Sequence, residues 1–348
     1  MSGSSQTGHA YIGSFTAAGG PGVVTAAVDP ADGALTLLHT TDALPDPSYL
    51  ALDGGFLYAV SETTAGAVAA FRTDAVSTTL AAPAAPVDGA GPTHLTVWGN
   101  HILTANYGSG SVSTVPLRAD GTPDPALRDV LHHTGSGPHP QRQQSPHAHQ
   151  IVVDPSRGWA VSVDLGTDSV RVCALVDGHL TPHHETALRP GSGPRHLAFH
   201  PGGEYAYVLN ELAPTLTVCR WDAAGGILKP LTEVPVLPGA PRGDAYPSEV
   251  VVAPDGRFLW TATRGEDVVS VFALDPTGEQ PTLRATVPCG GHWPRDLALH
   301  PGGRFLYAAN ERSGDVTWFT VDAETGEPVR GGSLRVPAAS CVVFGPPA

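Results

Sequence analysis

Charged residues are scarce in this chain. They make up 15% of 348 residues, and the 19 Lys and Arg against 33 Asp and Glu give a formal net charge of −14 with histidine neutral. Nucleic acids and anionic membranes are held non-specifically by basic surfaces, so this balance speaks against both as partners. It does not bear on a few arginines gathered in one pocket. Cysteine is scarce too, and Cys173, Cys219, Cys289 and Cys341 form no CxxC pair. A zinc knuckle or a dithiol redox motif is thereby disfavoured. Cys173 in SVRVCAL and Cys219 in TLTVCRW stand in similar strand contexts and read as small buried apolar side chains. No apolar run reaches transmembrane length. The opening MSGSSQTGHAYIG has neither the basic nor the apolar region of a secretory signal. The expectation is a soluble cytoplasmic protein, with an oligomeric state the sequence does not reveal.

Glycine and proline, by contrast, are abundant, at 41 and 34 residues. They are spread along the whole chain between short β-branched runs. That is the pattern of many strands and many tight turns, not of a disordered tract. Segments such as GPTHLTVWGNHILTANYGSGSVSTV, GPRHLAFHPGGEYAYVLNELAPTLTVCRW and WPRDLALHPGGRFLYAANERSGDVTWFTV repeat one plan. Each has a short apolar strand, a Pro/Gly/Asp turn, a second strand, a polar break and a third strand, with room left for a variable fourth. The apolar anchors Leu50, Leu95, Ile151, Leu197, Val250, Leu297 and Val342 are spaced by 45, 56, 46, 53, 47 and 45 residues. This is the period of a four-stranded propeller blade.

The seventh anchor lies one strand from the C-terminus. HAYIGSFT, GVVTAAVD and ALTLLHTT at the other end supply the strands it lacks. The fold class expected is all-β: residues 1–348 as a single seven-bladed β-propeller domain, its ring closed by N- and C-terminal strands sharing one blade. Second-strand aromatics (Trp159, Tyr205, Trp260, Tyr307) are expected to pack the blades.

Two repeat positions should face the channel mouth. The first, just before the anchor, reads Ser48, Thr93, His149, Arg195, Ser248, Arg295 and Ser340. The second, closing the next strand, reads Glu62, Tyr107, Leu165, Glu211, Arg264, Glu311 and, from the N-terminal strand, Phe15. A position that only packs keeps one residue type in every blade; these vary among Ser, Arg, His, Glu and others, as a ligand site requires. The plain alternative is a water-filled channel with scattered polar groups. The longest anchor spacing holds GSGPHPQRQQSPHAHQ, 135–150, a proline-stiffened loop carrying Arg142, Gln143, His147 and His149.

These stretches, above all RQ followed by PHAH with PRH and NE downstream, resemble the seven-bladed β-propeller lactonase family, over essentially the whole chain. That family includes propeller-type 6-phosphogluconolactonases and fungal-type carboxymuconate lactonizing enzymes. The resemblance implies acid/base roles for His149 and Glu211, anion-binding and catalytic roles for Arg195 and Arg264, and substrate contacts from His147, Arg142, Gln143, Arg295 and Asn210. It implies no metal and no organic cofactor. The expected substrate is a small anionic lactone or carboxylate.

The chemistry suits these residue types. Histidine or a carboxylate accepts a proton from water near neutral pH, and a guanidinium in a dry funnel meets developing oxyanion charge. Hydrolysis of a sugar lactone such as 6-phosphogluconolactone leads; lactonization of a carboxymuconate, a secondary-metabolite cyclization and a non-catalytic interaction propeller are the alternatives. The last predicts a large patch outside the channel, whereas an enzyme predicts that His149, Arg195, Glu211 and Arg264 converge on one void.

Several plainer readings stand beside these. His147 and His149 share a face and suit a metal, but no third ligand accompanies them at suggestive spacing. Glu62, Asn106, Asp164 and Asn210 could imitate a calcium site. Glu211 could be a structural partner of Arg195, whereas Arg264 has no evident local partner. His200 and His300 read as turn residues, and His132, His133, His183 and His184 as solvent-facing.

Overall fold

The structure is a computed structural model, and it describes residues 8–74, 76–126 and 128–345. Residues 1–7 of the segment read above as lacking a secretory signal lie outside the described residues. Seven antiparallel sheets are built from consecutive strands and stand around a common channel. Every strand is short, because a turn-forming glycine, proline or aspartate interrupts each apolar run after a few residues. Among the described residues no helix is long and apolar enough to cross a membrane.

Blade 4 shows the plan. Its strands Ala148–Val153, Ala160–Asp164, Ser169–Val176 and His179–Ala187 pair in sequence order from the channel outward. Blade 2 alone departs from four strands, with Ala85–Pro86 pairing beside its outer edge. Blade 1 takes its inner strand, Ala339–Phe344, from the C-terminal end and its next, Gly8–Ser14, from the N-terminal end. The two pair antiparallel with Ile12 opposite Val342, so the ring closes without a free sheet edge at the seam.

The core lies between blades. Each of seven hydrophobic clusters joins two neighbouring blades, including the seam, where Ile12, Val24, Tyr307 and Val342 pack together. All seven anchor residues are buried. The second-strand aromatics reach across to the next blade as expected. Tyr307 donates to the Gly33 carbonyl at 2.7 Å, Trp260 to that of Gly326 at 2.8 Å and Trp159 to that of Ala223 at 2.9 Å. Each thereby satisfies its polar end, with the rings of Trp260 and Tyr307 fully buried and that of Trp159 partly so.

One irregularity recurs where the channel opens. In six blades the inner strand carries a β-bulge, and the residue it leaves unpaired is Thr93, His149, Arg195, Ser248 (with Glu249), Arg295 or Ser340. A bulge turns the extra side chain away from the regular alternation. These are the first mouth positions read from the repeat.

Candidate active site

At this mouth a cavity of about 290 Å³ is lined by Glu62, Thr93, Tyr107, Arg142, His149, Glu211, Arg264 and Arg295. Seven of the eight come from the two mouth columns, and the eighth, Arg142, from the inserted loop. His149, Glu211 and Arg264 therefore meet at one void. Arg195 stands directly behind, its Nε 3.3 Å from Glu211 Oε2. Of the four residues expected to converge, three line the void, and Arg195 reaches it only through Glu211.

Glu211 is the hub. Its carboxylate meets Arg142 at 2.6 Å, Arg264 at 2.8 Å and Arg195 at 3.3 Å. Arg264 thus has a partner after all, one that lies far away in sequence and became visible only when blades 5 and 6 came together. Burial works to raise the Glu211 carboxyl, but Arg264, Arg142 and Arg195 outweigh it and hold it down at about 2. A carboxylate so firmly ionised exchanges no proton near neutral pH. The geometry makes Glu211 the fixed anion that gathers three guanidiniums.

His149 is the opposite case. Burial, followed by the nearby charges of Arg195 and other arginines, pushes it well below the ordinary histidine value. It is a neutral imidazole at pH 7. Its Nδ1 is sealed from solvent without a partner, which leaves Nε2 as the nitrogen facing the cavity. Its backbone carbonyl accepts a hydrogen bond from Thr93 Oγ1 at 2.9 Å, and this ties the bulge to blade 3.

Arg295 meets Glu311 at 3.3 Å and Glu62 at 3.6 Å. Burial raises the Glu62 carboxyl, with Arg295 opposing. Of the cavity's two carboxyls, Glu62 is the one drawn upward and Glu211 the one held down. It stood in the second mouth column but did not figure among the expected catalytic residues.

Three expected substrate contacts take other roles. Gln143 is fully buried. Its amide donates to the Leu165 carbonyl at 2.8 Å and to Asp168 Oδ1 at 2.7 Å, while its oxygen accepts from the His139 backbone at 3.0 Å. It pins the loop so that the neighbouring Arg142 reaches Glu211 and, at 3.2 Å, the Tyr107 hydroxyl. Gly137 lies so close that a Cβ there would sit 2.6 Å from the Gln143 side chain.

Asn210 is buried and donates to Thr215 and Thr217, each at 3.0 Å. Asn106 and Asn310 make the same kind of bond within blades 3 and 7. The asparagine column staples the second strand to the third and does not face the channel. His147 stacks on Tyr107 with ring centroids 4.4 Å apart and Nδ1 2.8 Å from the Tyr107 carbonyl, so it supports a cavity wall without lining it.

Asp164 is buried as well. It meets His133 Nδ1 at 2.6 Å and accepts from the His147, Gly166 and Thr167 backbones. His133 is therefore buried, not solvent-facing as its place in a connector suggested. His200 holds its turn by accepting from the Gly202 backbone at 3.1 Å.

A second ring, not anticipated from sequence, lies one residue further along each inner strand: Tyr49, His94, Gln150, His196, Glu249, Asp296 and Cys341. All but His196 line a cavity of about 410 Å³ on the far side of the mouth ring. Its signal was present in the pairs TH, HQ, RH, SE, RD and SC preceding the anchors. Two consecutive polar residues violate strand alternation unless a bulge turns both inward.

Comparison with known proteins follows this geometry. The family described as "Lactonase, 7-bladed beta-propeller" matches residues 9–344. A 6-phosphogluconolactonase of Bacillus subtilis is 34% identical over 271 residues, 76% of this chain and 77% of the relative. One from Serratia proteamaculans is 30% identical over 71% of this chain and 72% of its own length. Among solved structures, a periplasmic gluconolactonase of Pseudomonas aeruginosa superposes with a TM-score of 0.92 at 29% identity, covering 98% of this chain and 100% of that one.

Proposed function

From the premise that this chain belongs to the seven-bladed β-propeller lactonase family and is a lactonase, we propose that it hydrolyses a small sugar lactone bearing an anionic group, such as 6-phosphogluconolactone. The observation that carries this reading is a neutral His149 opening onto a cavity walled by arginines. Around the cavity stand Arg142, Arg195, Arg264 and Arg295 against Glu211, Glu311 and a Glu62 that burial draws towards its neutral form. The surplus of positive charge suits an anion, whether phosphate or carboxylate, and planar guanidiniums suit its paired oxygens.

In the reaction, His149 Nε2 takes a proton from water as the water oxygen bonds to the lactone carbonyl carbon. Negative charge grows on the carbonyl oxygen, and Arg264, with Arg195 behind it, meets that charge. The ring C–O bond then breaks, and the imidazolium returns its proton to the departing ring oxygen. The new carboxylic acid ionises, so each turnover releases one proton. Glu211 stays ionised throughout and keeps Arg142, Arg195 and Arg264 in place.

The test is a substrate panel of 6-phosphogluconolactone, unphosphorylated aldonolactones and carboxymuconates, run with EDTA present. Preferred turnover of the phosphorylated lactone, lost on His149→Gln, supports the proposal. Turnover of carboxymuconate alone would establish lactonization instead.

A further inference from the structure

The second ring contains three titratable side chains in sequence along one path. His196 Nδ1 lies 2.6 Å from Glu249 Oε2, and Glu249 and Asp296 line the far cavity together, near enough for their charges to act on each other. Two carboxyl groups buried side by side repel when both are ionised, which favours one shared proton between them. The remaining oxygens are held by backbone, since Glu249 Oε1 accepts from Val250 N at 3.0 Å and Asp296 Oδ2 from Val342 N at 2.8 Å.

At the other end, the His196 and His149 ring centroids are 5.0 Å apart. His149 Nδ1 and both ring nitrogens of His196 are sealed and make no hydrogen bond, the approach of His196 Nδ1 to Glu249 being close but out of line. The two rings meet edge to face at 66°, so a transfer between them requires one ring to turn. Glu249 and Asp296 line the far cavity and His149 lines the mouth cavity, while His196 lines neither. The path therefore runs through the septum between two cavities.

We propose that Asp296, Glu249 and His196 form a proton relay that resets His149 by carrying the proton released in each turnover to the far cavity. This rests on the lactonase reading. When the product acid ionises, its proton passes to His149. The mouth is then occupied by product and walled by arginines, a poor exit for a positive charge. His149 passes the proton to His196, His196 gives a proton to the singly ionised Glu249–Asp296 pair, and the pair releases one to water in the far cavity. No bond other than N–H and O–H changes.

The surroundings agree. The pair is faced by Arg195, His196, Tyr49 and Cys341, and His94 stands at 5.6 Å from His196. Burial, together with their mutual repulsion, raises both carboxyls. Burial and Arg195 keep His196 neutral. The chain thus begins each cycle able to accept.

Two measurements test this. Infrared titration without substrate should find a protonated carboxyl near pH 7 in the wild type that is lost in Glu249→Gln and in Asp296→Asn; its absence would overturn the relay. In turnover, Glu249→Gln should lower kcat about tenfold while leaving kcat/KM nearly unchanged, because the reset follows the first irreversible step. Added imidazole buffer should restore kcat. A variant with wild-type kcat, or one losing kcat and kcat/KM equally without buffer rescue, would also overturn it. A wild type inactive on every lactone would sink the lactonase reading, while the infrared band would still decide whether the pair holds its proton.

Discussion

Glu211 and His149 stand close together and are driven in opposite directions, and this separates their roles. The kcat/KM profile should fall on the acid side with a midpoint below 6.5, as His149 takes up a proton. Glu211→Gln removes a negative charge from among the arginines, so it should shift that midpoint to lower pH while the limb persists. A limb that vanishes in this variant would return Glu211 to the acid/base role. Stability provides an independent measure. The folded Glu211 carboxyl at about 2 lies below its ordinary value of 4.5. Its contribution is therefore complete above pH 4.5 and is lost as pH falls from there towards 2, a difference of about 3 kcal/mol by linkage. Chemical denaturation of Glu211→Gln at pH 7 should show a loss of that size, with weaker acid sensitivity between those limits.

The element that distinguishes this propeller is the loop between Asp129–His132 and Ala148–Val153. Gln143→Ala removes the bonds to Leu165 and Asp168, costing about 1–3 kcal/mol for buried groups left unpaired. Because the damage is local, protease nicking within 133–147 should accelerate. KM should rise as Arg142 loses its place, with kcat less affected. The blade period and the two mouth columns could be read in the sequence because each blade repeats one packing problem, and they predicted seven of the eight cavity-lining residues. Gln143 was legible only as a polar loop residue, since its partners Leu165 and Asp168 come from the next turn of the same blade. Asn210 was misplaced for a different reason: its neighbour Glu211 faces the cavity, and adjacent strand residues point in opposite directions. The second ring went unread because strict alternation hides it until the bulge is known.

At the scale of the whole molecule, stability depends on a seam that joins the two ends of the chain. Removing residues 339–348 takes away the inner strand of blade 1 and exposes the clusters around Ile12 and Leu50 on either side. Calorimetry of this truncation should show no cooperative transition at the wild-type temperature. The bulges bear on inheritance. The mouth side chain at each bulge is borne by one residue, and the packing of the blade by an anchor two positions later, as with His149 and Ile151 or Arg295 and Leu297. A mutation can therefore rewrite one without disturbing the other. Thr93 is the small occupant of such a seat at the cavity, so a lineage could acquire a new substrate by one or two codon changes there, giving up only the bond from Thr93 to the His149 carbonyl while the anchors hold the blades.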